Sequence, residues 1–316
     1  MAETFLVTGS TGLIGSALVR ALARDGKNTV AAARNVAKAK AMFGALPSVR
    51  VLEWDVTKPV RVDGEIATIV HAASETSSRA FVERPVETIL SVLDGTRNAL
   101  ALAREKNVRA FVYLSTMEVY GAPEANPVSE RDYGYLDPLS VRSSYPEAKR
   151  LAENLCVAHW REYGVPVRIV RLAQTFGEGV KRSDARVFAQ FAGAIADGRD
   201  IVLHTAGRTA RCYCHVDDAV EAIRTIAGKG RDGEAYNVAN PETFCTIREM
   251  AEALCAANPP SRVVLDPSLA DGRGYAPEAK LNLSTQKIEA LGWRARVGLA
   301  EMFECLVAEF RRDVAP

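Results

Sequence analysis

TFLVTGSTGLIGSALVRALAR, residues 4–24, reads as a β run, a glycine turn and a helix laid end to end. Residues 4–7 are short and apolar. Gly9, Gly12 and Gly15 punctuate the turn, and residues 16–24 repeat Ala, Leu and Val at helical spacing. In that context each glycine has a task. One allows a tight turn, one lets the backbone approach a pyrophosphate, and one lets helix pack on strand. The helix N-terminus adds free N–H groups and a partial positive charge. The spacing is G-x2-G-x2-G, and Gly9, Thr11, Gly12, Leu13, Ile14 and Gly15 are the expected contacts.

Working outward, the same alternation continues. Strand-like runs occupy 29–33, 49–56, 67–74, 109–116 and 165–172, with helical patterns at 87–106 and 145–163. Apolar runs alternating with helices predict a parallel sheet covered on both faces, and right-handed crossovers make it doubly wound. The expected fold is α/β: a Rossmann-type core over 1–172 and a smaller, mainly substrate-binding lobe over 173–316. One further strand near 236–240 belongs with the core. Amphipathic helices are expected at 247–257 and 299–312.

Composition narrows the function. The chain has 316 residues, 48% hydrophobic and 25% charged, which excludes disorder and a disulfide scaffold. Forty basic against 39 acidic residues leave a net charge of +1, so no global field draws nucleic acid or an anionic membrane. An anionic ligand must be held by local devices. No run of 18 apolar residues predicts a membrane span. The six cysteines form no C-x2-C pair, so no metal site is expected and the thiols read as reduced. With no basic region and long apolar stretch at residues 1–10, a cytoplasmic location is expected.

The second strand ends in AAARN, where an Asp or Glu would grip adenosine ribose and select NAD. Arg34 instead suits the 2′-phosphate of NADP, although a tightly held NAD needs no such acid, so the cofactor is NAD or NADP. Asp55 contacts adenine or caps its own turn. Val56, the HAAS residues Ala72, Ala73 and Ser74, and the strand-end residues Ser115 and Leu172 complete the expected cofactor contacts. In SSYPEAK, Tyr145 and Lys149 stand four apart, on one helical face. An ammonium beside a phenol lowers the phenol's pKa, so Tyr145 is the expected base for a hydroxyl whose carbon gives up hydride.

The glycine turn, HAAS, LSTMEVYG (114–121) and SSYPEAK in this order resemble the extended short-chain dehydrogenase/reductase superfamily. More narrowly, the chain is similar to nucleotide-sugar epimerases and dehydratases, including UDP-glucuronate decarboxylases and sugar 4-epimerases. RLAQTFGEG (171–179), DARVFAQF (184–191), GRTARCYCHVDDAVEAI (207–223) and EALGW (289–293) extend the likeness over nearly the whole length. The resemblance implies a homodimer built from the helices near 87–106 and 145–163, a nucleotide-diphosphate sugar as substrate, and transient oxidation at C4. It gives Tyr145 and Lys149 the catalytic pair, Thr116 the sugar's 4-oxygen, Glu118 the place of a C5 base, and Gln174, Arg186, Arg211 and Arg273 the diphosphate and nucleotide. Met117 stands where dehydratases have an acid and cannot donate a proton. Gln174 stands for the usual Asn, Glu178 for Pro, and Val92 for a frequent Asn. These departures leave a decarboxylase, a C5-active epimerase or an unusual dehydratase in view. A reductase of a non-sugar carbonyl using NADPH and a non-catalytic dinucleotide sensor are the alternatives outside that chemistry.

Overall fold

The computed structural model describes residues 3–269 and 278–312. The core runs β1 (Thr4–Thr8), α1 (Leu13–Arg24), β2 (Asn28–Ala33), α2 (Val36–Phe43), β3 (Val49–Glu53), β4 (Thr68–His71), α3 (Ser78–Glu83), α4 (Pro85–Glu105), β5 (Ala110–Thr116), α5 (Ser144–Tyr163) and β6 (Val167–Leu172). There follow β7 (Gln174–Phe176), α6 (Val187–Ala196), β8 (Ile201–Leu203), β9 (Ala210–His215), α7 (Val216–Lys229), β10 (Glu234–Val238), β11 (Asn240–Thr246) and α8 (Ile247–Ala257). The chain ends with β12 (Val263–Leu265), β13 (Lys280–Leu281), α9 (Gln286–Glu289) and α10 (Leu299–Arg312).

Seven parallel strands form the central sheet in the order β10-β6-β5-β4-β1-β2-β3. The direction of winding reverses between β1 and β4, and ligands of such sheets bind at the carboxyl ends of that switch point. Val7, Val70, Val112 and Val170 face α1 and α7, whereas Leu6, Ile69, Phe111 and Ile169 face α4 and α5. Alternate residues of one strand thus enter opposite cores, which is why the strands read as unbroken apolar runs.

Several boundaries differ from the sequence reading. β3 stops at Glu53, and Trp54 turns into the core with its indole N–H on the Lys58 carbonyl (2.9 Å). The segment 236–240 is split. Its first residues finish β10, and Asn240 opens β11, which pairs antiparallel with β9 in a different sheet. α7 packs Ala219, Val220, Ile223 and Ile226 on the central sheet, so residues after 172 supply a core helix as well as a strand. The remaining lobe closes around Phe176, Phe188, Tyr213, Phe303 and Phe310.

Candidate active site

The glycine turn leaves no room for side chains. Gly9 sits at φ +63°, and a Cβ there would lie 2.7 Å from the Ala72 carbonyl oxygen. At Gly15 a Cβ would lie 2.2 Å from the Gly9 carbonyl oxygen. Gly12 precedes α1, no side chain caps the helix, and its first turn holds no acid. The N–H groups beyond Gly12 are thus presented with an uncompensated positive helix end, which fits a pyrophosphate.

Thr8 ties this turn to HAAS. Its Oγ1 accepts from the N–H groups of Ala72 (3.1 Å) and Ala73 (3.2 Å). Its proton is therefore assigned to His71 Nδ1, 2.9 Å away, which leaves the imidazole proton on Nε2. Burial, with Lys149 adding to it, pushes His71 down to about 3, so this histidine is neutral and structural. Ser74 Oγ donates to the Glu75 carbonyl at 3.2 Å.

At the other end, Arg34 is exposed directly after β2. Lys38, in the first turn of α2, donates from Nζ to the Thr11 carbonyl at 2.8 Å, and burial and Lys181 lower its pKa. Lys38 escaped the sequence reading because nothing local shows that α2 leans over the glycine turn. Asp55 accepts from the Thr57 N–H (3.1 Å) and hydroxyl (2.8 Å), which hold it below the usual carboxylate range. The carboxylate thus caps its own turn. The Val56 carbonyl accepts from Asn98 Nδ2 at 2.9 Å, while Val92 packs in the core.

Tyr145 and Lys149 emerge from the first turns of α5 and are both buried. The Tyr145 ring stacks on Phe81 of α3, centroids 4.2 Å apart and 5° from parallel. Lys149 Nζ donates to the Leu114 carbonyl at 2.8 Å and lies 5.8 Å from the Tyr145 ring centroid. The lowered phenol expected from the sequence is corrected here. Burial raises the Tyr145 pKa, Glu118 raises it further, and Thr116, Arg142 and Arg186 oppose the rise. Burial likewise pushes Lys149 down to about 8 against the pull of Glu153.

Thr116 caps the turn Met117–Tyr120 by accepting from the Glu118 N–H at 3.3 Å, and its hydroxyl acts to lower the Tyr145 pKa. Glu118 Oε2 accepts from Arg142 Nη2 at 3.0 Å. Met117 packs with Val119, Tyr120, Ala173 and Leu281 and is 1% exposed.

Ser115, expected at the cofactor, has its hydroxyl committed elsewhere. One residue before Thr116 on a strand, it points to the opposite face and donates to Glu153 Oε1 at 2.5 Å. Glu153 in turn accepts from Arg171 Nε (3.0 Å) and Nη2 (2.6 Å). Arg171 Nη1 reaches Tyr120 (3.0 Å) and the Glu130 carbonyl (2.8 Å), and Tyr120 bonds Asn237. This buried network braces the strand ends that carry the site. Glu153 lies four residues beyond Lys149 on the same helical face, a spacing from which it was legible. Leu172, also expected at the cofactor, ends β6 in the core.

In the lobe, Gln174 of β7 stands opposite Tyr213 of β9. Arg211 of β9 carries a buried Nε–H with no partner among the described residues, which fits an anionic acceptor. Arg186 precedes α6, grips Asp184 through Nη2 (2.6 Å) and Nε (3.0 Å), and lies over Phe188. Glu178 accepts from His215 Nε2 at 3.1 Å. Arg273 lies outside the described residues. Among those described, no cluster of three His, Cys, Asp or Glu is placed to hold a metal.

A glycine-turn dinucleotide site beside a buried tyrosine–lysine pair defines a Rossmann-type, nicotinamide-dependent class of enzyme. Within it, the chain belongs to the NAD dependent epimerase/dehydratase family, whose profile matches residues 5–239. UDP-glucuronic acid decarboxylase 6 of Arabidopsis thaliana is 33% identical over 312 residues, 97% of this chain and 88% of that protein. UDP-glucuronic acid decarboxylase 1 of Danio rerio is 28% identical over 325 residues, 99% of this chain and 73% of that protein. Among solved structures, dTDP-glucose 4,6-dehydratase of Streptomyces venezuelae with NAD and TYD bound matches with a TM-score of 0.80 at 25% identity, over 99% of this chain and 98% of that one. UDP-glucose 4-epimerase of Thermotoga maritima matches in fold with a TM-score of 0.84 at 22% identity, over 99% of this chain and 100% of that one. The fold, the family and the NAD(P) dependence expected from the sequence are all met.

Proposed function

We propose that the protein decarboxylates a nucleotide-linked uronic acid, with UDP-glucuronate as the first substrate to test. The observation that carries the reading is the Glu118–Arg142 pair, 3.0 Å apart, whose charges both act on Tyr145, next to an apolar Met117. That arrangement holds a carboxylate and a guanidinium beside the base but offers no proton-donating acid at residue 117, as a dehydratase of the expected kind needs. The curated relatives that span the chain, named as UDP-glucuronic acid decarboxylases, support it.

Bound nicotinamide supplies the hydride acceptor and later the donor. Tyr145 as phenolate, which the positive charge of an oxidised nicotinamide bound beside it would favour, takes the proton of the C4 hydroxyl as C4 gives up hydride. Thr116 orients that oxygen, and Lys149 fixes the α5 face from which the phenol projects. The ketone at C4 then lies β to the C6 carboxylate. The C5–C6 bond breaks, its electron pair moves toward the C4 carbonyl, and carbon dioxide leaves. C5 takes a proton from water as the C4 ketone re-forms, C4 regains hydride, and Tyr145 returns its proton to the 4-oxygen. Arg211 and Gln174 hold the diphosphate. Arg34 after β2, with Lys38 of α2 at the glycine turn, favours NADP over NAD by placing two cations near the adenosine end of the site. The exposed Val86 and Leu90 of α4 and Leu151 of α5 support a homodimer through these helices.

The test is mass spectrometry of UDP-glucuronate incubated with the enzyme and either dinucleotide. Conversion to the pentose nucleotide with release of carbon dioxide supports the reading. An isomer of unchanged mass makes the enzyme an epimerase. Stoichiometric oxidation of NADPH with a non-sugar carbonyl, and no reaction with the nucleotide sugar, makes it a reductase.

A further inference from the structure

Arg142 sits in the turn Val141–Ser143, three residues before Tyr145. Its guanidinium lies over the Phe81 ring, Cζ 5.0 Å from the centroid, and that same ring stacks on Tyr145. Cation, ring and phenol thus share one cluster. Nη2 donates to Glu118 Oε2 at 3.0 Å. Nε is buried and meets no acceptor among the described residues. Nε and Nη2 together form the edge to which a carboxylate binds with both oxygens. Glu118 fills one half of that edge, and the other half is an orphan N–H. A buried N–H without an acceptor is a hydrogen bond waiting for a partner. The side chains of Arg142 and Glu118 are 15% and 19% exposed, so they are shielded yet reachable.

We infer that Arg142 is the residue that recognises the C6 carboxylate of the sugar, receiving it on Nε beside Glu118. The inference rests on the uronate reading above. Its chemistry is specific. Arg142 and Glu118 are neutral as a pair, so a second carboxylate leaves the cluster with one negative charge in excess. When that carboxylate leaves as carbon dioxide, its charge passes to the C4 enolate oxygen and the Arg142–Glu118 pair is neutral again. A neutral hexose has nothing to offer the orphan N–H, so the same group that accepts a uronate discriminates against glucose.

The test is calorimetric binding, which needs no turnover. Tyr145→Phe protein, saturated with NAD and in a parallel series with NADP, is titrated with UDP, UDP-glucose and UDP-glucuronate. The titrations are repeated with Arg142→Gln and Arg142→Lys added. The Tyr145→Phe parent is expected to prefer UDP-glucuronate over UDP-glucose by about tenfold or more. Arg142→Gln removes that preference and leaves UDP affinity unchanged, while Arg142→Lys restores only part, because an ammonium lacks the planar fork. Retention of the preference in Arg142→Gln overturns the inference while leaving the uronate reading standing. Equal loss of affinity for all three ligands also overturns it, because Arg142 then merely supports the fold. A parent with no preference for the uronate overturns the reading beneath it.

Discussion

Lys149 is a charge the fold holds at a cost, and replacing it by Met tests that directly. Burial moves its pKa from 10.5 down to about 8, which corresponds to about 3 kcal/mol of lost stability at pH 7. Met has similar length and no charge to desolvate. It gives up the 2.8 Å hydrogen bond to the Leu114 carbonyl, worth about 1 kcal/mol. Lys149→Met is therefore expected to be more stable than the parent by about 2 kcal/mol at pH 7, while turnover collapses. The sign follows from proton uptake. Between the folded and unfolded pKa values the unfolded chain binds more protons, so the parent gains stability as pH rises from about 8 toward 10.5. The variant lacks this gain, and its advantage shrinks to near zero at about pH 9.5. Urea unfolding followed by tryptophan fluorescence on dinucleotide-free protein, at both pH values, measures it. A variant less stable than the parent at pH 7, or an advantage that does not shrink with pH, refutes the reasoning.

Three further outcomes are expected. Gly15→Ala places a Cβ where 2.2 Å separates it from the Gly9 carbonyl oxygen, so the turn must open, and calorimetry should show dinucleotide affinity falling at least about tenfold. Glu153→Ala leaves the Arg171 guanidinium, 2% exposed, without its carboxylate; thermal and urea unfolding should report a loss of about 3–5 kcal/mol. Arg34→Glu exchanges a 2′-phosphate partner for a ribose partner, so the ratio of NADPH to NADH affinity, read by fluorescence quenching, should drop about tenfold or more. An unchanged ratio would show that Arg34 does not read the 2′ position.

The glycine turn, the alternation of apolar strands with helices, and the pair Tyr145–Lys149 were all legible in the chain. Each is local: a turn demands small residues, a strand buried on both faces is apolar throughout, and residues four apart share a helical face. Lys38, Arg142 and Ser115 were not legible in this way. Lys38 finds Thr11 across 27 positions, Arg142 finds Glu118 across 24, and Ser115 finds Glu153 across 38. Which hydroxyl of the Ser115–Thr116 pair faces the site depends on the strand's rotation in the sheet, and a dipeptide does not specify it. The direction of the Tyr145 shift was misread because the lysine spacing is visible in sequence while burial is not. By itself, then, the sequence determined the fold class, the glycine turn and the tyrosine–lysine pair. Only the tertiary structure decided which charges meet at that base, because ion pairing depends on distance in space and on the water excluded by packing.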